Sequence, residues 1–406
     1  MTPKIRIVLG TGIVLVLGLL MLHWASGDVQ LYEHYGAALR RGRLTHGLPK
    51  EYPALAGALF VLPLYLGLPY QVAFGVLCLA CLLGLLAAAC RLLWESERAL
   101  WFFLASLCLG ATWAVFRRYD VFPALTVVVA VGAARSGRWR TAWAATIGGT
   151  LLKIFPAFLL PGFFLIEWRR TGSPPWRRAA ASAAVVLAVG AAQQAIAPGT
   201  VLNPLLYELH RGFEFSSVPG SLAMLFDPGR VTWQYGYGSW QVVGGPAGLI
   251  AVALLVGGLL GLAWIWRLSW RGRLEVVEVS LGALSVVVLI GKAFPPQYIL
   301  WVAPLWAATA WDTTRAARAI WLLTCALTTA TYPLAFALAP GSGDLVVPSL
   351  LAAARNLALL AATIVWLADR LRRAPSEPDV PGIAGGSVAS QGELRPRSVV
   401  QPMLGR

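Results

Sequence analysis

Residues 70–94 read YQVAFGVLCLACLLGLLAAACRLLW, and Arg91 is the single charged side chain in this stretch. The hydrocarbon core of a bilayer is about 30 Å thick, so a helix needs about 20 apolar residues to cross it. Comparable apolar runs recur from Val8 to Leu367, separated by short charged loops. The pattern predicts an integral membrane protein that crosses the bilayer many times.

Charged residues are few and are grouped. They make up 13% of the 406 residues, against 58% hydrophobic residues, whereas a soluble domain has about 25% charged residues. The net charge of +15 comes largely from arginine clusters in every second loop, which is typical of loops that stay in the cytoplasm. This distribution argues against nucleic-acid binding and predicts cytoplasmic termini. The clusters are Arg135, Arg138 and Arg140; Arg169, Arg170, Arg177 and Arg178; Arg267, Arg271 and Arg273; Arg315 and Arg318; and Arg370, Arg372 and Arg373.

We predict an all-α integral membrane fold with about 12 transmembrane or partly penetrating helices. Residues 5–24 are expected to form an uncleaved first helix, and residues 25–52 a polar outer loop. Residues 53–68 are apolar but short, which predicts an interfacial helix within the first outer loop. Residues 1–373 then form one polytopic domain. Residues 374–406 are rich in Pro, Gly and Ser without periodicity, which predicts a disordered cytoplasmic tail.

Some apolar segments are too short to cross the membrane alone. Residues 141–152 and 154–166 flank Lys153, and both ends of the pair are strongly basic. We therefore predict a hairpin with an outward apex, whose arms penetrate partway as broken helices do where backbone lines a cavity. The same reasoning predicts outer apices at residues 117–120 and 292–297.

The predicted outer face collects the side chains that can do chemistry. Cytoplasmic loops carry arginines and few other reactive groups, whereas the two outer loops (residues 25–52 and 198–241) and the apices are rich in titratable residues. Ionisable groups at membrane depth are costly and are functional candidates by default. We predict a polar, partly cationic cavity that opens to the exterior. Its candidates are Asp28, Glu33, His34, His46, Glu51, Asp120, Glu208 and His210, with Arg117, Arg118, Lys153, Arg211 and Lys292.

Asp28 follows the predicted first helix directly. It is either a solvated N-cap for the next helix or a general base whose proton affinity is raised by partial desolvation against the bilayer. Lys153 and Lys292 either present an ammonium to an embedded phosphate group or snorkel to lipid headgroups. Arg355 lies several residues inside the last apolar segment, so we expect it to face the bundle interior.

Metal and nucleotide motifs are missing from the sequence. It contains no HExxH, no phosphate loop and no zinc spacing, and its outer loops hold no DxD pair. We therefore predict no metal and no cofactor.

Several short motifs follow one another along the chain. Asp28 follows the first helix, and Glu51-Tyr52-Pro53 opens the interfacial segment. Next come RYDVFP at 118–123, LKIFP at 152–156, HRG at 210–212 with SVP at 217–219, PQYILW at 296–301 and RN at 355–356. In this order they resemble the motifs of C-type polytopic membrane glycosyltransferases, most closely those of bacterial polyprenol-phosphate-mannose-dependent α-mannosyltransferases. That group has a second proline where this chain has Ala54.

The resemblance implies a GT-C-like fold and an enzyme of the plasma membrane with an outward-facing site. It implies transfer of a sugar, mannose in that group, from a polyprenyl-phosphate carrier to a glycolipid or polysaccharide acceptor, with inversion. The base is then expected among Asp28, Glu33 and Asp120. A monophosphate leaving group needs cations, which are expected from Arg117, Arg118, Lys153, Arg211, Lys292 and Arg355. The acceptor or sugar is expected to contact His34, Tyr52, His210, Gln297 and Tyr298.

A transporter or lipid flippase for an anionic or glycosylated lipid is the alternative. Broken hairpins that carry cations suit such proteins as well. However, the sequence shows no internal repeat, and its polar groups gather on one predicted face. Alternating access predicts comparable polarity toward both sides, so the enzyme is favoured.

Overall fold

The computed structural model describes residues 27–93, 96–335 and 345–372, with Gly12 and Val16 ahead of them. The predicted first helix (residues 5–24) and the predicted tail (residues 374–406) therefore lie outside the described residues. The α-helices of the described part are α1 (Gly27–Arg40), α2 (Leu44–Gly47), α3 (Ala54–Val61), α4 (Tyr70–Leu92), α5 (Glu97–Gly110), α6 (Thr112–Val115), α7 (Val121–Arg135), α8 (Trp139–Leu152), α9 (Leu160–Thr171), α10 (Trp176–Ile196), α11 (Asn203–His210), α12 (Val218–Phe226), α13 (Ala247–Trp270), α14 (Val276–Ile290), α15 (Ile299–Thr309), α16 (Arg315–Thr329) and α17 (Val346–Arg372).

Four of the described helices, α4, α10, α13 and α17, are long and apolar enough to cross a membrane. Helix α10 buries none of its residues against the rest of the protein, and α13 buries few. Apolar side chains that face away from the protein are expected where a helix meets lipid. The chain is thus an α-helical membrane protein, as predicted, while the figure of about 12 crossings stays a prediction.

Two helix groups form the core of the described part. In the first, α7 packs against both α4 and α8. Helices α7 and α8 approach so closely at Gly149 that a Cβ on this residue would lie 2.2 Å from the Thr126 hydroxyl oxygen. The absence of a side chain on glycine therefore permits this contact. In the second, α5, α15, α16 and α17 enclose the fully buried Trp306, Trp321 and Trp366, and the first two of these rings stack at 5.1 Å.

The first outer loop is more helical than the sequence suggested. Helix α1 packs on α3, where a Cβ on Gly36 would lie 2.3 Å from the carbonyl oxygen of Phe60. This contact stacks the ring of Tyr32 on that of Phe60 at 4.3 Å. Helix α3 and the 3₁₀ turn Leu62–Tyr65 occupy the segment predicted as an interfacial helix.

The second outer loop contains a small antiparallel sheet, which was not predicted. Its strands are β1 (Phe213–Glu214), β2 (Val231–Gly236) and β3 (Ser239–Gly244), in the order β1-β3-β2. The β2–β3 hairpin turns at Tyr237 and Gly238, which have φ values of 52° and 70°. Two residues with positive φ are typical of the type I′ turn, whose twist matches that of the paired strands.

Candidate active site

Asp120 and Lys153 form the centre of the candidate site. Asp120 immediately precedes α7, and Lys153 ends α8 in an extended conformation, ahead of a 3₁₀ turn that contains Pro156. The Lys153 ammonium lies 2.7 Å from the Asp120 carboxylate, and the indole nitrogen of Trp301 donates to the same oxygen at 3.0 Å. Asp120 is only 1% exposed, so these two donors compensate a buried charge.

Aromatic rings surround the Lys153 ammonium. The ring centroids of Tyr52, Tyr119, Tyr298 and Trp301 lie 5.1–5.6 Å from its nitrogen. Rings at this distance attract a cation through their negative faces. We call these four rings the Lys153 cage. The Lys153 side chain keeps 15% of its surface exposed, so the cage does not enclose it completely.

Asp28 pairs with Arg118. The Arg118 guanidinium contacts the Asp28 carboxylate, and their side chains are 17% and 25% exposed. Asp28 lies in the first turn of α1, where the helix dipole also favours a negative charge. The buried ring of Tyr32 stands edge-on to the Tyr52 and Tyr119 rings of the cage, at 6.2 and 5.7 Å. The Asp28–Arg118 pair and Lys153 therefore adjoin one aromatic cluster.

Glu51 stands at the edge of this cluster, one residue before Tyr52. The Tyr35 hydroxyl donates to its carboxylate at 2.9 Å. Burial raises the pKa of Glu51 above its ordinary value of 4.5, and the Asp28 charge acts in the same direction, while the hydrogen bond from Tyr35 opposes it. Glu51 is thus a second half-buried carboxyl group beside the candidate base.

A second group of charges lies where the predicted second outer loop meets the 292–297 apex. Arg211 reaches Glu208 at 3.2 Å and Glu214 at 3.6 Å. The Lys292 ammonium donates to the backbone carbonyls of Leu209 and Arg211 at 2.9 and 3.0 Å. Burial lowers the pKa of Lys292, and the negative charge of Glu208 opposes this shift without cancelling it. In this structure Lys292 therefore ties the loop to the apex.

Arg355 lies wholly inside the bundle, as predicted. Its guanidinium donates to the backbone carbonyl of Ser216 and, at 3.0 and 3.1 Å, to the side-chain oxygen of Asn356. It also lies 3.8 Å from the centroid of the Phe294 ring. Asn356 donates to the Ser216 carbonyl at 3.2 Å and to the Ser221 hydroxyl at 2.8 Å. The last helix thereby anchors the second outer loop.

We expect Arg355→Met to release this anchor. It removes charge-assisted hydrogen bonds, each worth about 1.5–3 kcal/mol, and leaves the Ser216 carbonyl with Asn356 alone among its described side-chain partners. Limited proteolysis in detergent should cut the loop at residues 213–240 at least about tenfold faster than in wild type. Arg230→Met is the matched control, since Arg230 is in the same loop and its side chain is 82% exposed. Equal digestion of both variants would contradict the anchor.

Tyr298 connects the two groups. Its ring belongs to the Lys153 cage and stacks on Trp301 at 3.6 Å. Along the chain it is six residues after Lys292, so the apex links the Lys153 cage to the second group of charges.

Three buried guanidinium nitrogens at this site have no hydrogen-bond partner within the described residues. They are Nε of Arg118, Nε of Arg211 and Nη1 of Arg355. Buried donors are nearly always satisfied by protein, water or ligand. Such open donors suit an anionic ligand, and the one on Arg118 belongs to the partner of Asp28.

Among the predicted site residues, Tyr52, Asp120 and Tyr298 gather around Lys153, Asp28 pairs with Arg118, and Lys292 contacts the backbone of Arg211. Exceptions are Glu33 and His34, which are exposed on α1, and His210, which is exposed at the end of α11 with its ring nitrogen 2.7 Å from the Leu206 carbonyl. Arg117 is buried, with its guanidinium 5.0 Å from the Trp113 ring centroid. Gln297 is also buried, and its side-chain oxygen has no partner among the described residues.

Sequence reasoning missed several residues that build the site. Trp301 and Tyr119 lie in the quoted motifs, yet their rings were not predicted to enclose Lys153. Glu214 and Phe294 were not predicted as partners of the site arginines. A signal existed for Phe294 and Trp301, since aromatic residues flank a proline-rich outer apex beside a lysine.

Among the described residues, no three His, Cys, Asp or Glu side chains gather as metal ligands do. Independence from metals stays a prediction that activity assays must test.

Comparisons with known proteins bear on the class of reaction. The family model described as glycosyltransferase family 87 matches residues 52–291, more than half of the chain. Among solved structures, the crystal structure of ArnT from Cupriavidus metallidurans in the apo state is similar, with a TM-score of 0.41 and 18% identity. The alignment covers 90% of this chain and 77% of the ArnT chain. None of the curated proteins matches the chain.

Proposed function

Because the chain belongs to glycosyltransferase family 87, we propose that it transfers a sugar from a polyprenyl-phosphate carrier to a glycolipid or polysaccharide. Mannose is the sugar that the motif resemblance favours. In this proposal the site faces outward from the plasma membrane, both termini are cytoplasmic, and the reaction needs no metal. Membership in a glycosyltransferase family favours this function over the transporter or flippase.

One observation supports the proposal most directly. A half-buried carboxylate, Asp28, is held by Arg118, whose Nε donor has no partner among the described residues. Arg118 is two residues before Asp120, which pairs with the partly exposed Lys153. A glycosyl transfer needs a base for the acceptor hydroxyl and positive charge for the departing phosphate. The site offers both within one aromatic cluster.

The residues suggest how the reaction proceeds. Asp28 takes the proton of the acceptor hydroxyl while the hydroxyl oxygen forms a bond to the anomeric carbon. The bond from that carbon to the phosphate oxygen breaks, and its electron pair leaves with polyprenyl phosphate, which Lys153 and Arg118 stabilise. Attack opposite the leaving group converts a β-linked donor into an α-linked product.

Asp120 has a positioning role in this proposal. Its carboxylate oxygen already accepts from Lys153 and Trp301, so it is less available than Asp28 to accept a proton. It holds the ammonium within the cage instead. Tyr52 and Tyr298 offer the sugar ring an aromatic wall, and Arg211 and Lys292 add positive charge at the edge of the site.

Sugar transfer in membranes tests the proposal. Membranes containing the wild-type protein are incubated with an envelope lipid extract and polyprenyl-phosphate [14C]mannose, arabinose or glucose, in separate reactions. We expect label to move to the lipid extract from the mannose donor, with and without a chelator, and the product to be α-linked by glycosidase digestion. Membranes without the protein are the control. Transfer only from a nucleotide sugar, or none from any of the three lipid donors, would overturn the proposal.

A further inference from the structure

A cavity lies at the end of the helix bundle opposite the candidate active site. It has a volume of about 470 Å³ and opens between the ends of α4, α7 and α8. Helix α7 begins next to Asp120 and ends at Arg135. The cavity is lined by its residues from Val128 onward, so about 12 Å of helix separates the site from the nearest edge of the cavity. The volume is within the range of about 300–1,000 Å³ that small-molecule sites occupy.

The cavity is lined by basic side chains on one side and apolar ones on the other. Arg91, Arg135 and Arg138 line it together with Thr141, in the first turn of α8, while Val128 and other small apolar residues of α7 form a wall. Amides in the first turn of a helix favour an anion. The lining combines positive charge with a hydrocarbon surface, as a phospholipid requires.

Other arginines at this end of the bundle are neutralised. Arg169 and Arg170 pair with Glu275, and Arg178 pairs with the buried Glu167. Among the described residues, by contrast, no ion pair involves Arg91 or Arg138, and the cavity lining includes no carboxylate. Arg135 donates to the Leu92 carbonyl at 3.0 Å and so joins the ends of α4 and α7.

We propose that this cavity binds the headgroup of an anionic glycerophospholipid, with Arg91 and Arg138 on the phosphate and the α7 wall against the upper part of the acyl chains. Basic pockets between transmembrane helices bind such headgroups at the cytoplasmic side. The proposed orientation of the enzyme puts the cavity on that side. The lipid site is independent of the reaction at the other end of the bundle.

Binding to the full-length protein in neutral detergent tests the proposal. Native mass spectrometry measures retention of phosphatidylglycerol against phosphatidylcholine, and a thermal-unfolding series adds glycerol phosphate and inorganic phosphate. We expect one phosphatidylglycerol molecule to bind and to raise Tm. Phosphatidylcholine should be retained far less, and the two soluble phosphates should raise Tm far less. Equal binding of phosphatidylcholine, or equal stabilisation by inorganic phosphate, would overturn the lipid assignment.

Two variants separate a built site from general attraction to a charged surface. Since each basic residue near a membrane surface contributes about 1 kcal/mol, the double variant Arg91→Gln/Arg138→Gln should weaken phosphatidylglycerol binding about 30-fold. Arg140→Gln is the matched control: Arg140 is exposed near Arg138 but does not line the cavity. An equal loss in this control would overturn the site.

A third variant, Gly132→Leu, changes no charge, so it tests the cavity without the loss of stability that removing arginines could cause. Gly132 lines the cavity on α7, and a Cβ there would meet no atom within 4 Å. Gly132→Leu should fill the cavity and reduce lipid retention at least about tenfold while the lipid-free Tm stays close to that of wild type. Undiminished retention in this variant would show that the lipid does not occupy the cavity.

Discussion

Asp28→Asn is expected to lower kcat for sugar transfer by about 10²–10⁴-fold, the contribution typical of a general base. Asparagine has nearly the shape of aspartate and still offers an oxygen to Arg118, but it cannot take the proton of the acceptor hydroxyl. The KM for the lipid-linked donor should therefore change little. Initial rates at several donor concentrations, with equal amounts of folded protein, provide the measurement.

The same kinetics distinguish a base from a residue that only positions Arg118. If Asp28 merely oriented the guanidinium toward the donor phosphate, the variant would raise KM and leave kcat near the wild-type value. Glu33→Gln is the matched comparison, because Glu33 is on the same helix but exposed. A large loss of kcat in Glu33→Gln together with normal turnover in Asp28→Asn would transfer the role of base to Glu33.

Lys153→Met should have the second large effect, on stability as well as on transfer. It removes one of the two donors that compensate Asp120, whose side chain is 2% exposed. Breaking a buried ion pair from one side costs about 3–5 kcal/mol. We expect a fall of this size in the free energy of unfolding in detergent, and no detectable transfer. Lys50→Met, at an exposed lysine of the first outer loop, is the control.

A double variant separates the two effects of Lys153. In Lys153→Met/Asp120→Asn the buried charge is gone, so most of the stability should return, while the leaving phosphate still lacks its ammonium. Transfer should therefore remain undetectable in the double variant. Recovery of transfer along with stability would show that Lys153 acts only by neutralising Asp120.

Hydropathy predicted those parts of the fold that depend on a local signal. Most of the apolar run that begins at residue 70 is the helix Tyr70–Leu92. The helical segments on either side of Lys153 break at that residue, where Pro156 follows closely. Both predictions rest on properties of neighbouring residues. The internal position of Arg355 was predicted for the same reason, since a cation deep in an apolar helix must avoid lipid.

Long-range pairing could not be predicted in the same way. Trp301 meets Asp120 across 181 positions of the chain, and Arg355 meets Ser216 across 139. No periodicity in one sequence encodes such partners. The β2–β3 hairpin did have a local signal, because Tyr237-Gly238 separates two runs rich in β-branched and aromatic residues. The sequence predicted this segment only as part of the second outer loop, residues 198–241.

The positions of the Lys153 cage residues in the chain also determine when the cage can assemble during synthesis. Tyr52 and Tyr119 are synthesised before Lys153, but Tyr298 and Trp301 come almost 150 residues after it. While the ribosome is still translating the middle of the chain, Asp120 and Lys153 can pair, but two of the four rings and one of the two donors to Asp120 do not yet exist. The nascent chain must therefore hold a half-enclosed charge pair in the membrane until α15 is inserted. Completion of the candidate site thus waits for α15, and under the proposed function partial chains that end before Trp301 are expected to lack transfer activity.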